Sequence, residues 1–174
     1  MKIKLIKFKS VKSTNDIAIK LIRKEKVHPT LIFSEIQTKG RGTMGKKWIS
    51  QKGNLFISIF FEIDQKRINF KQFAILNAFL LRKLLSKFIS KKIKIKWPND
   101  LLYKKEKISG ILQEVIFIKN RKFLITGIGI NIVKNPNIKN YPATNLQDIA
   151  KKSISKLKVE NKLKHIFEKN LLKL

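Results

Sequence analysis

Four segments of the 174-residue chain combine glycine or rigid turns with polar side chains. They are STN at 13–15, QTKGRGTMGKKW at 37–48, KWPNDLLYKKEKISGIL at 96–112 and GIGIN at 127–131. Glycine lets a backbone approach a ligand closely or adopt positive φ. N–H groups oriented in such a loop favour anions. The second segment packs basic side chains around Thr43 and Met44, so it either wraps a small anionic ligand or adds one more basic patch to a basic protein. Its glycine spacing matches neither the P-loop nor the dinucleotide fingerprint. Lys107 stands out among the lysines because Gly110 follows three residues later. Each segment also has a plainer reading: STN as a helix cap, Pro98 and Asp100 as turn chemistry, GIGIN as a strand that another backbone approaches. With no Cys there is no thiolate nucleophile, no disulfide framework and no Cys-ligated metal. His28 and His165 lack acidic or Cys partners at ligand spacing, and no Ser/His/Asp arrangement is visible.

The elements that must hold these segments follow from periodicity. MKIKLIKFKS alternates Lys with apolar residues and reads as a first strand, not as a secretory signal. STNDIAIKLIRK carries a cap signal and then an apolar helical face at Ile17, Leu21 and Ile22. TLIFSEI (30–36) reads as a strand that runs into the glycine-rich loop. NLFISIFFEI (54–63) is rich in β-formers, with polar and apolar faces alternating in its first part. Helical spacing of Phe73, Leu76, Leu80, Leu84 and Phe88 predicts a core helix over 70–89. KKIKIKW (91–97) alternates as a half-buried strand, and two more strands, 108–119 and 122–133, are joined by the turn KNR. A short helical piece near NLQDIA and an amphipathic helix over VENKLKHIFEKNLLKL close the chain. Short strand-to-strand links with only two helices interposed argue for α+β, with a mixed and largely antiparallel sheet.

Length and the lack of any linker fit one domain, residues 1–174. No stretch is long and apolar enough to span a bilayer, and a cytoplasmic setting is expected. The net charge of +29, from 40 Lys and Arg against 11 Asp and Glu, invites a nucleic-acid partner. The excess is nearly all Lys, spread along the chain and accompanied by abundant Ile, Asn and Phe, types that share A/T-rich codons. Biased composition accounts for the charge without a polyanion, and a basic nucleic-acid-binding module is the other reading of it.

Taken in order, STND, GRGxxGKKWxSxxGNLFxS, KWPNDLL…KxxGIL.E, GIGIN and PATNL closely resemble the catalytic domain of the biotin–protein ligases, from about residue 8 to at least 146. The resemblance implies the class II aminoacyl-tRNA synthetase-like fold that biotin and lipoate ligases share. It implies biotin and MgATP as substrates, biotinyl-5′-adenylate as intermediate, and a lysine of the biotin carboxyl carrier protein of acetyl-CoA carboxylase as acceptor. Ser13, Thr14, Asn15 and Gln37 would bind the biotin end, with Gly40, Arg41, Gly42 and Thr43 folding over the carboxylate and Gly110 beside Lys107. Lys107 would sit between carboxylate and α-phosphate, and Lys107 and Arg41 are the candidate catalytic residues. Lys46, Trp48, Lys96, Asn99, Asp100 and Asn131 would lie on the nucleotide side, with Asp100 reaching magnesium through water. Many family members begin with a winged-helix domain that represses transcription. Here the catalytic motifs start at once, so no DNA-binding role is expected. Neither is a C-terminal SH3-like domain, since the chain stops at Leu174. The resemblance leaves a homodimer open. Lipoate–protein ligases and octanoyltransferases share the fold and an equivalent lysine, and are the nearest alternative.

Overall fold

Two apolar faces on one sheet explain most of the architecture. The computed structural model describes residues 2–63, 69–139 and 141–170. Its strands are β1 (Lys4–Val11), β2 (Thr30–Gln37), β3 (Leu55–Glu62), β4 (Lys94–Lys96), β5 (Asp100–Tyr103), β6 (Glu106–Ile118) and β7 (Arg121–Ile130). They form a seven-stranded sheet in the order β1-β2-β3-β7-β6-β5-β4. Only β1 and β2 pair in parallel, because helix α1 (Thr14–Arg23) carries the chain across between them. The remaining neighbours are antiparallel, so the sheet is mixed, as the link lengths imply.

Strand periodicity assigns each side chain to a face. In β7, Phe123 and Ile125 pack with Ile32, Phe60, Ala18 and Ile22 under α1. The intervening Leu124, Ile128 and Ile130 join the larger core beneath α2 (Phe70–Leu85) and α4 (Lys156–Asn170). β3 lies between β2 and β7 and is covered on both faces, so it is buried from Leu55 to Phe61. The polar positions of its first part, Asn54 and Ser58, are buried too and make hydrogen bonds. Alternation there reflects interior polar work, not a solvated face. α2 begins at a reciprocal cap: Asn69 accepts from the Gln72 backbone N–H, and the Gln72 side chain accepts from the Asn69 N–H.

Several boundaries differ from the sequence reading. The strand expected over 91–97 is regular only at Lys94–Lys96, and β5 has no counterpart in the sequence reading. Turn signals at Pro98 and Asp100 mask a four-residue strand that begins at Asp100 itself. The KNR turn contracts to two residues, Lys119 and Asn120, both at positive φ (47° and 59°), the geometry that matches strand twist in a tight hairpin. Residues 131–133 leave the sheet and turn toward the site. The short helix is α3 (Leu146–Ala150); α4 starts three residues before the predicted helix, whose last four residues lie outside the described ones. No helix among the described residues is long and apolar enough to cross a membrane.

Candidate functional site

The α1 face of β6 and β7 is stripped of side chains where the strands leave the α1 packing. Gly110 and Gly129 are register partners, and the indole of Trp48 lies flat on both. A Cβ on Gly129 would come within 2.3 Å of the indole, and one on Gly110 within 2.8 Å of it and 3.0 Å of Lys107 Nζ. Only glycine admits that approach. The result is a cavity of about 350 Å³.

Fifteen of the sixteen residues singled out from the sequence line it: Ser13, Thr14, Asn15, Gln37, Arg41, Gly42, Thr43, Lys46, Trp48, Lys96, Asn99, Asp100, Lys107, Gly110 and Asn131. Gly40 stands just behind, its carbonyl accepting from the Trp48 N–H at 2.9 Å.

One end of the cavity is a dry polar cluster. Ser13 occupies the N-cap position of α1 but makes no side-chain cap bond. Gln37 takes that part instead: its Oε1 accepts from the Thr14 N–H at 2.8 Å and from the Thr14 hydroxyl at 3.0 Å. Ser58 of β3 points its hydroxyl at Thr14 Oγ1 (2.7 Å) and at Asn15 Oδ1, and its single proton serves one at a time. Ser13, Thr14 and Asn15 are all buried, so an incoming ligand meets donors and acceptors already oriented. Ser58 was not among the candidates, although its motif was.

The glycine-rich loop closes one side. Backbone bonds from Gly42 N–H to the Lys46 carbonyl (2.7 Å) and from Trp48 N–H to the Gly40 carbonyl make it a small hairpin. Met44, at its tip, has φ 54° and is almost fully exposed. Arg41 lies across the loop base. Its guanidinium forks onto Glu114 of β6 at 2.7 and 2.8 Å and reaches Asp16 of α1 at 2.8 Å. These carboxylates hold it above its usual pKa, the Glu114 hydrogen bonds first. Asp16 and Glu114 had no assigned role, although Glu114 ends the KxxGIL.E motif.

The other end is cationic. Lys107 Nζ sits 2.7 Å from Asp100 Oδ1 across the β5–β6 pair, a charge contact without hydrogen-bond alignment, and 5.3 Å from the Trp48 ring centre. Lys46, Lys47 and Lys96 share the same cavity wall. Asn99 Nδ2 donates to the Ile111 carbonyl at 3.3 Å and reaches Thr43 Oγ1 only at 3.5 Å. Asn131 Nδ2 donates to the Lys107 and Thr144 carbonyls, while its buried Oδ1 and the buried Trp48 Nε1 have no partner. Such orphans are costly unless a ligand or water satisfies them. Among the described residues, no group of three or more His, Asp or Glu side chains is placed to hold a metal ion. Asp100 is the one carboxylate on the cavity wall, and Lys107 already engages it.

A roof over the cationic end is built from 132–139 and 141–144, which bring Pro136, Ile138, Tyr141 and Ala143 to the cavity. Asn54 Oδ1 accepts from the N–H groups of Ile132, Val133 and Lys134 at 3.0–3.2 Å. The far end is fixed where Lys107 N–H donates to the Pro142 carbonyl and Thr144 N–H to the Lys107 carbonyl. Between them, Lys46 Nζ donates to the Tyr141 hydroxyl at 2.7 Å and sits 4.6 Å from its ring centre. That ammonium draws the phenol below its ordinary pKa. Tyr141 carries no motif signal, and only the fold brings it here.

A family model described as the Biotin/lipoate A/B protein ligase family matches residues 7–131. The Bifunctional ligase/repressor BirA of Bacillus subtilis is 32% identical over 165 residues, covering 90% of this chain and 50% of that protein. The Biotin–[acetyl-CoA-carboxylase] ligase of Mycobacterium tuberculosis is 24% identical, covering 92% and 61%. The chain spans about half the length of the curated relatives it matches. Among solved structures, biotin protein ligase from Aquifex aeolicus in complex with biotin and ATP superposes with TM-score 0.81 at 32% identity, covering 98% of this chain and 71% of that one. The Leishmania major enzyme in complex with biotinyl-5-AMP gives 0.78 at 26%, covering 96% and 74%. The family model takes in the cavity from the polar cluster through Asn131, and this chain belongs to the biotin/lipoate A/B protein ligase family.

Proposed function

We propose that this chain activates biotin with MgATP and transfers it to a lysine of a biotin carboxyl carrier protein of acetyl-CoA carboxylase. The observation that carries the reading is one cavity with a dry polar end and a lysine-rich end, built from motifs far apart in sequence. In the first step a biotin carboxylate oxygen attacks the α-phosphorus of ATP, the bond to the bridging oxygen breaks, and pyrophosphate leaves. In the second, the acceptor amine attacks the acyl carbon, the amide forms, and AMP departs with the acyl oxygen.

Neither step needs a nucleophile from the protein, so positioning and charge neutralisation carry the catalysis. Ser13, Thr14, Asn15 and Gln37 would hold the biotin end. Lys107, beside Gly110 and the Trp48 ring, would neutralise charge where carboxylate and phosphate meet. Lys46, Lys96, Asn99 and Asn131 would face the nucleotide, and the orphaned Asn131 Oδ1 and Trp48 Nε1 supply unused polarity there. Magnesium would arrive with the nucleotide as substrate, and Asp100 would reach it through water only once Lys107 turns to the phosphate.

Biotin-dependent ATP–pyrophosphate exchange is the direct test, with lipoate and octanoate as competing acids and streptavidin blotting of the carrier domain for the second step. Exchange with biotin alone and a labelled carrier are expected. Exchange driven by lipoate or octanoate instead would overturn the choice of acid.

A further inference from the structure

Glu114 takes no part in the proposed chemistry and does not line the cavity, yet two cavity residues end on it. It lies on β6 two positions beyond Leu112 and four beyond Gly110, on the face that α1 covers. Its carboxylate gathers three N–H donors from two other elements. Asn15 Nδ2 of α1 donates to Oε2 at 2.6 Å. Arg41 of the glycine-rich loop donates NH2 to the same oxygen at 2.8 Å and NH1 to Oε1 at 2.7 Å.

The consequences differ at the two partners. An amide side chain can face either way, and Asn15 Oδ1 shares the Ser58 proton with Thr14 Oγ1. Glu114 fixes the other half, so the amide presents one orientation to the cavity. Arg41 is held by a fork-to-fork pair, which constrains direction as well as distance. Asp16 also touches Arg41, but its carboxylate is half exposed and screened, whereas the Glu114 side chain is only 25% exposed.

We propose that Glu114 is a positioning residue that locks Asn15 and the glycine-rich loop into one unit, and that this unit sets how tightly the biotin end is held. The affinity part rests on the ligase reading above. The geometry also explains why the residue is an acid. Three donors converge on it, and only a carboxylate accepts at both oxygens. A carboxamide of the same length would turn its own N–H bonds toward Asn15 or Arg41.

The test is Glu114→Gln in the full chain, with amide hydrogen exchange of residues 40–48 and the KM values for biotin and ATP measured together. Exchange in the loop should quicken about tenfold, the scale of one charge-assisted hydrogen bond. The KM for biotin should rise about tenfold, well beyond any rise in that for ATP, because Asn15 and Arg41, the two side chains that Glu114 holds, belong to the biotin end of that reading. Arg41→Lys keeps the charge but not the fork, and should quicken loop exchange with a smaller change in biotin KM. Unchanged loop exchange in Glu114→Gln overturns the proposal, as does quickened exchange with both KM values unmoved. Equal rises in both KM values with a lower unfolding midpoint would show general packing damage and also overturn it. If the wild-type chain gives no biotin-dependent exchange with ATP, the ligase reading fails, and loop hydrogen exchange still decides whether Glu114 is the lock.

Discussion

Removing the Lys107 ammonium would leave Asp100, the one carboxylate on the cavity wall among the described residues, facing the incoming phosphate without its partner at 2.7 Å. Lys107→Ala should therefore slow exchange by a factor equivalent to roughly 2–4 kcal/mol of transition-state stabilisation. Biotin affinity, measured by titration calorimetry, should change far less. Comparable losses in both would show that Lys107 only binds substrate. Thr43 is the second case. It offers the loop a neutral hydroxyl 3.5 Å from Asn99 Nδ2, where a guanidinium would supply a charged clamp. Thr43→Arg should slow release of the adenylate by about ten- to a hundredfold, the scale of one charge-assisted hydrogen bond acting on the off-rate. Stopped-flow dissociation of biotinyl-adenylate checks it; equal rates would mean that Lys46 or Lys47 already supplies the charge. Both residues were legible because glycine or a motif marks them. The roles of Glu114, which its motif marks, and of Tyr141, which no motif marks, were not legible, because their partners Arg41 and Lys46 lie 73 and 95 positions away, and nothing local records an ion pair or a phenol contact of that range.

At the scale of elements, the roof segment shows how the fold holds a stretch with no regular structure. Asn54 places one oxygen against three successive N–H groups and donates its own Nδ2 to the Lys134 carbonyl at 2.7 Å. The side chain is fully buried. Asn54→Ala would leave those donors to whatever water can enter, and should cost about 2–4 kcal/mol of stability in urea unfolding. If Asn54 instead carries little load, the midpoint will move by less than about 0.5 kcal/mol equivalent. The same segment illustrates what the sequence conceals. Strand character marked β3, β6 and β7, whose faces split cleanly between two cores, and helical spacing marked α2. It overran into 131–133 because Ile132 and Val133 look like strand yet hydrogen-bond to a side chain. It missed β5 because Pro98 speaks louder than four residues can.

The whole molecule carries 40 Lys and Arg against 11 Asp and Glu, and the structure gives little sign that the surplus is placed for one partner. Among the described residues, lysine occupies four of the seven non-glycine positions at positive φ, Lys104, Lys105, Lys119 and Lys151, where Gly or Asn would cost less. That pattern fits lysine filling every tolerant site. A chain so charged is destabilised by self-repulsion, and its few carboxylates matter in proportion. Lys119, Arg121 and Lys164 hold Glu25, Glu62 and Glu168 respectively below the ordinary 4.5. A carboxylate with a depressed folded-state pKa adds stability that is complete above its unfolded value and disappears as pH falls through its folded one. Each of these pairs, two exposed and the Lys164–Glu168 one half-buried, is worth little alone. Acid does two things at once, however: it breaks the pairs and removes negative charges from a molecule already at +29. Stability should thus be flat near neutrality and drop steeply below about pH 4.5. Salt separates the two contributions. Screening weakens the pairs but relieves a repulsion that outnumbers them, and the Debye length falls from about 30 Å to about 8 Å between 0.01 and 0.15 M. The unfolding temperature at pH 7 should therefore rise across that range, and rise further at pH 4. A fall with salt at pH 7 would mean that local ion pairs, not the excess of lysine, govern the electrostatics of this fold.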